Sequence, residues 1–175
     1  MFEGFIESLT VETWALAMLA YALGAAGSLL LGRNARLARF TSSAMGAIGG
    51  LIQAWGAAVV LLEGDTVSWS FPSGVPLFEF SLRLDPLAAV FLLALGVVAI
   101  AVSVYSFGYT EHAQGWRPGI LGALVNFLLF SLSLVFTASS VFLFLIAWEV
   151  MALTAYCLVS FEHSKEETRS AGILF

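Results

Sequence analysis

The chain has 175 residues, 60% of them hydrophobic and only 11% charged, with a mean hydropathy of +0.95. Soluble domains carry about 25% charged residues, so this composition excludes a water-soluble enzyme and describes an integral membrane protein whose first partner is the bilayer. The net charge of −5 is too small and too spread out to suggest nucleic acid or acidic lipid as a partner.

The N-terminus opens MFEGFIESL, with Glu3 and Glu7 where a secretory leader needs positive charge. The first apolar segment is therefore expected to be retained as a membrane anchor. It runs over about 11–31, with Trp14 near the interface. Gly24, Ser28 and Gly32 recur along it at four-residue spacing, and Ser42, Gly46 and Gly50 repeat the pattern in a second span over about 41–62. Small residues at that spacing let helix backbones approach closely. A basic turn, Gly32 to Arg39, is expected between the two spans.

After the second span the chain alternates. Val67, Trp69 and Phe71 take every second position, as do Phe78, Phe80, Leu82 and Leu84, around Pro72, Gly74 and Pro76. Period-two alternation about a Pro/Gly turn predicts a β-hairpin. It is expected on the membrane surface, because an open sheet edge cannot sit in hydrocarbon. Asp85-Pro86 then starts a third span over about 86–109, with Asp85 as N-cap and Pro86 at the first helical position. A fourth span follows over about 119–136, with Asn126 as its one strongly polar residue. Ser139 or Ser140 is the expected N-cap of a fifth, over about 140–161.

Five spans put alternate loops on opposite sides. One side receives Arg33, Arg36, Arg39, Arg117, Lys165 and Arg169, and the other only Arg83. By the positive-inside rule, the N-terminus and hairpin are expected outside and the basic loops in the cytoplasm. Ser164-Lys165-Glu166-Glu167 reads as a capping box, followed by an apolar run to Phe175 that is too short to cross. It looks like the start of a sixth helix. The fold class expected is an all-α integral membrane protein: five transmembrane helices, a short extracytoplasmic β-hairpin and the beginning of a sixth helix, in a single membrane domain.

Little here supports soluble-enzyme chemistry. There is no P-loop, no GxGxxG after a strand, no HExxH and no Cys/His cluster, so neither a metal nor another cofactor is expected. The single cysteine, Cys157, excludes an internal disulfide framework or CxxC site. His112 and His163 are far apart in sequence and read as solvated or interfacial, and Glu166 and Glu167 as a solvated first turn. Glu149 is different. It sits near the centre of the fifth span, where a charged carboxylate costs about 2.5–3.5 kcal/mol on insertion scales. The functional reading is a protonatable group facing a polar path inside a helix bundle, and the plain reading is a Glu that hydrogen-bonds a neighbouring helix. Ala152, Leu153 and Tyr156 share its side of the helix. None of the five predicted spans contains a Lys or Arg, so a cationic partner has to come from another segment.

The stretch FLIAWEVMALTAYCLVSFEH resembles the fifth transmembrane helix of the antiporter-like subunits found in complex I, in Mrp-type sodium/proton antiporters and in membrane-bound hydrogenases such as formate hydrogenlyase. LRLDPLAAVFLL entering the third span, VYSFGY leaving it, and KEETRSAGILF agree with the same family. The resemblance implies that Glu149 is the helix-five glutamate, which pairs with a lysine on helix seven and gates proton transfer. It also implies inverted repeats with broken helices and places the protein in the bacterial inner membrane. Its partners would be other membrane subunits of an oxidoreductase complex, including the segment that supplies the lysine, and its ions protons or sodium ions. Against that plan the sequence reaches only the start of helix six, and so reads as the N-terminal portion of such a subunit or one piece of a split one. The alternative is a non-conducting scaffold, a truncated paralogue that packs against partner subunits.

Overall fold

A computed structural model describes residues 2–72, 79–109 and 117–162. The sixth-helix start at 164–175, Lys165, Arg169, His112, His163 and the hairpin tip at 73–78 lie outside the described residues. Among the described residues are five helices of membrane-spanning length and composition, together with one two-stranded sheet.

Helix α1 (Phe2–Leu30) and helix α2 (Ala35–Glu63) are joined by a short turn. Helix α2 begins earlier than its apolar stretch does, which corrects the expected basic turn: Arg36 and Arg39 belong to its first two turns. The cause is local. Asn34, among the best N-cap residues, accepts a hydrogen bond from the Leu37 amide at 3.3 Å, so the helix starts at its cap and not where hydrophobicity begins. At the other end Gly64 takes the left-handed conformation at φ 76° and donates its N–H to the Val60 carbonyl, a conformation glycine adopts without a Cβ penalty.

Strands β1 (Val67–Pro72) and β2 (Glu79–Leu84) pair antiparallel, with Val67 opposite Leu84 and Trp69 opposite Leu82. The alternation works as expected: Val67, Leu82 and Leu84 are buried while Ser68, Ser70 and Arg83 are exposed. Trp69 meets Trp14 of α1 edge-on, with ring centroids 5.4 Å apart. Helix α3 (Pro86–Tyr109) follows directly, and Asp85 caps it by accepting from the Ala88 amide at 2.8 Å. Helix α4 (Arg117–Thr137) leads through Ala138 to Ser140 into helix α5 (Val141–Val159), which ends in a 3₁₀ turn at Ser160–Glu162. Of the two candidate caps, Ser140 accepts from the Leu143 amide at 3.3 Å. Ser139 instead donates its backbone N–H to the Ser81 carbonyl at 3.0 Å, so the turn between α4 and α5 covers the outer edge of β2. An otherwise open strand edge thus fixes where α5 starts.

Helix α2 packs against α1, α3 and α4, whereas α5 leans on α4 and touches β2. The small-residue seams make these approaches possible. A Cβ on Gly50 would stand 2.7 Å from the Gly96 carbonyl oxygen, and one on Gly96 2.7 Å from the Gly50 carbonyl oxygen. Two backbones in contact leave no flexible atom to yield. One turn further along the same antiparallel pair, Gln53 donates to the Leu92 carbonyl at 3.0 Å and accepts from the Ser133 hydroxyl at 2.7 Å, tying α2, α3 and α4 together.

Gly50→Ala is therefore expected to destabilise the bundle by about 1–3 kcal/mol, the usual cost of overpacking. Gly108→Ala, where an added Cβ meets nothing within 4 Å, should cost nothing. Unfolding in mixed micelles titrated with SDS measures both; equal stability of the two variants would contradict the seam.

Candidate functional site

Helix α5 is apolar on every side, so its sequence does not announce which face packs. In the fold a narrow stripe does: Leu143, Ala147 and Thr154 are buried, and α4 is the helix they lean on. Thr154 satisfies its own hydroxyl by donating to the Val150 carbonyl at 2.6 Å, so it carries no polar contact to a neighbour.

Glu149 lies midway along α5, rotated about 140° from the centre of that stripe at 100° per residue. It is exposed, alongside Leu145, Leu153 and Tyr156, which are 54%, 62% and 47% exposed. Ala152 borders the same face and is half-buried. Among the described residues Glu149 has neither a hydrogen bond nor an ion pair; the one ion pair is Arg83 to Asp85, 3.6 Å apart on the hairpin side. The structure thus does not bring Glu149 into the interior of the α1–α4 bundle. It puts the carboxylate on an outward face, surrounded by large apolar side chains. The free thiol of Cys157 is exposed as well, and no group of three or more His, Cys, Asp or Glu side chains able to hold a metal occurs among the described residues.

The interior of the bundle has polar contents, of which Asn126 stands out in the sequence while its partners and the Gln53–Ser133 pair do not. Besides Gln53 and Ser133, the Asn126 amide donates to the Ser42 hydroxyl at 2.9 Å and to the Gly122 carbonyl at 2.9 Å. Its carboxamide oxygen packs against Gly24, where any side chain would collide with it, and at Gly46 an added Cβ would collide with the Ser103 hydroxyl instead. Tyr21 is fully buried beside Leu95, Ala99 and Leu129. The Gln53 and Asn126 amides find partners across helices, the ordinary use of amides and hydroxyls in membrane bundles, whereas the Tyr21 hydroxyl and the Asn126 carboxamide oxygen are buried without a hydrogen-bond partner among the described residues. None is a carboxylate or an amine. A lone Gln in the second span was the available signal for this network, but its partners lie 39 and 80 residues away.

Glu149 is therefore the one carboxylate at mid-span depth in the described helices, since Glu12 lies near the start of its span and Glu63 ends α2. What it can do chemically is take up or release a proton, provided that something covers its face. A charged carboxylate left against lipid is penalised, whereas one next to a cation is favoured.

Comparison with known proteins agrees with the family that the motifs suggested. Residues 69–117 match the family model described as NADH-ubiquinone oxidoreductase (complex I), chain 5 N-terminus. Hydrogenase-4 component B of Escherichia coli (strain K12) is 26% identical over 97% of this chain. An uncharacterized protein of Mycobacterium tuberculosis (strain H37Rv) is 36% identical over 58% of the chain. NADH-quinone oxidoreductase subunit L of Rhodobacter capsulatus is 26% identical over 54% of it. The chain spans 25%, 16% and 14% of the lengths of these three relatives. The resemblance to the N-terminal portion of antiporter-like membrane subunits is therefore borne out.

Proposed function

We propose that this chain acts as a proton-translocating antiporter-like subunit, or as the N-terminal portion of one, in a membrane-bound complex of the NADH dehydrogenase or hydrogenase type. The observation that carries the reading is Glu149: an intramembrane carboxylate on the unpacked face of α5, in a chain similar along nearly its whole length to a hydrogenase membrane component. The chain has no redox step of its own in this reading. Electron transfer belongs to other subunits, and this one moves protons or sodium ions.

Glu149 needs a basic partner, supplied by a segment that packs against Leu145, Leu153 and Tyr156. In this reading a lysine ammonium brought beside Glu149 pairs with its carboxylate, and withdrawing it leaves that charge uncompensated among apolar side chains. Motion of the amine thus loads and unloads one proton at Glu149. The non-conducting scaffold is the competing reading, and it draws on the lack of any cationic partner for Glu149 among the described residues. In this reading the family resemblance assigns the chain to the bacterial inner membrane, and the distribution of basic residues puts its N-terminus outside with Arg33, Arg36 and Arg39 facing the cytoplasm.

In the fully assembled complex, Glu149→Gln should abolish pumping while complex abundance stays at the wild-type level, and Glu149→Asp should keep part of it. The scaffold reading expects the reverse, with Gln tolerated and losses only when packing is disturbed, as in Gly46→Leu. Pumping by Glu149→Gln at the wild-type rate would rule out the relay.

The orientation has its own test. In a Cys157→Ser background, a cysteine placed at Arg36 should react with an impermeant maleimide only from the cytoplasmic side. Labelling from the outside would invert the topology.

A further inference from the structure

Between α2 and α3, near the end of the bundle where α2 begins, runs a groove of about 310 Å³ lined by Phe40, Ser43, Ala44, Ala47, Ser103, Val104 and Phe107. It exists because the small side chains Ser43, Ala44 and Ala47 lie between bulky rims. Phe40 and Val104 on those rims are 62% and 69% exposed. Ser103, only 4% exposed, lines the groove, and its hydroxyl has no hydrogen-bond partner among the described residues. The volume is at the lower end for small-molecule sites. It suits one slender chain and not a helix of 10–12 Å diameter.

The charge at the end of this groove identifies its occupant. Arg36, Phe40, Ser43 and Ala47 follow the i, i+4, i+7, i+11 spacing of a single helix face, so Arg36 stands one turn beyond Phe40 in line with the groove. Side chains on a helix lean toward its N-terminus, which carries the guanidinium away from the apolar walls and toward the membrane surface. Arg33 and Arg39 flank it, and none of the three has a carboxylate partner among the described residues. Arg39 uses its Nε to donate to the Ala35 carbonyl at 3.3 Å, leaving its terminal nitrogens for another acceptor. The chain's net charge of −5 speaks against general attraction to acidic lipid. Screening limits electrostatics to about 8 Å at physiological salt, however, so the local arginines decide what binds here.

We infer that this groove holds an anionic phospholipid of the adjacent leaflet, its phosphate on Arg36 and Arg39 and one acyl chain along Ala44, Ala47, Val104 and Phe107. Arginine matches a phosphate with paired donors.

Native mass spectrometry of the full chain, delipidated in detergent and offered phosphatidylglycerol or phosphatidylcholine with identical acyl chains, tests the assignment. The wild type should retain phosphatidylglycerol in preference to phosphatidylcholine. Arg36→Gln should lower phosphatidylglycerol retention about fivefold, the worth of one basic residue near an anionic surface, and Arg36→Gln with Arg39→Gln should lower it further. Arg83→Gln, far from the groove, should change nothing. Ala47→Leu should reduce both lipids by filling the cleft. Should that variant fail to fold, the surface substitution Arg36→Gln still decides. Equal retention of the two lipids by the wild type, or wild-type retention by the double arginine variant, would overturn the proposal. So would a groove closed by a second copy, seen as a lipid-free dimer.

Discussion

The contact between Gly50 and Gly96 is the constraint from which the rest of the bundle follows. Lipid tails are as apolar as leucine side chains, so helices in a membrane associate through close packing and interhelical hydrogen bonds, not through exclusion of water. Removing two side chains at the crossing point lets the α2 and α3 backbones touch. Only at that separation can Gln53, one turn away, reach the Leu92 carbonyl and still accept from Ser133 on α4. The same principle repeats toward the other end of α2, where Gly24 makes room for Asn126 and its bonds to Ser42 and Gly122, and Gly46 for the Ser103 hydroxyl. Helix α2 thus becomes the axis of a four-helix unit whose buried amides are held by partners on other helices.

Helix α5 stands outside that unit, and the difference is physical. Its packed stripe is narrow, made of Leu143, Ala147 and Thr154, and it sends no side-chain hydrogen bond to a neighbour. What positions it is the hairpin: Ser139 pairs with Ser81 and Ser140 caps the first turn, so α5 is held at its start. A helix anchored at one end by a small sheet, with a carboxylate halfway along its uncovered face, is arranged for a further contact. The four-helix unit supplies the footing, and α5 presents the chemistry.

Most of this architecture could be read from the residues. The spans follow from hydropathy, the hairpin from period-two alternation, and the start of α3 from Asp85-Pro86, whose capping bond is present. Helix α2 starts before the expected span because hydrophobicity marks where a helix enters lipid, whereas Asn34 marks where its backbone begins to coil. The depth of Glu149 was legible, but its direction was not. Helix α5 is apolar all round, so periodicity gives no packed face, and the turn that fixes its rotation depends on Ser81, 58 residues away. The Gln53–Ser133 bond is not legible in the sequence for a similar reason, since neither residue has a local pattern that points to the other.

The relay at Glu149 requires that its face of α5 be covered by another segment in the working assembly. A nitroxide spin label at Leu153, on that face and exposed in this chain, measures this directly through its collision rate with dissolved oxygen. In the assembled complex the label should be as protected from oxygen as a buried label, with full accessibility in the chain alone. Equal, lipid-like accessibility in both would mean that nothing covers Glu149, and the relay would have no partner with which to work.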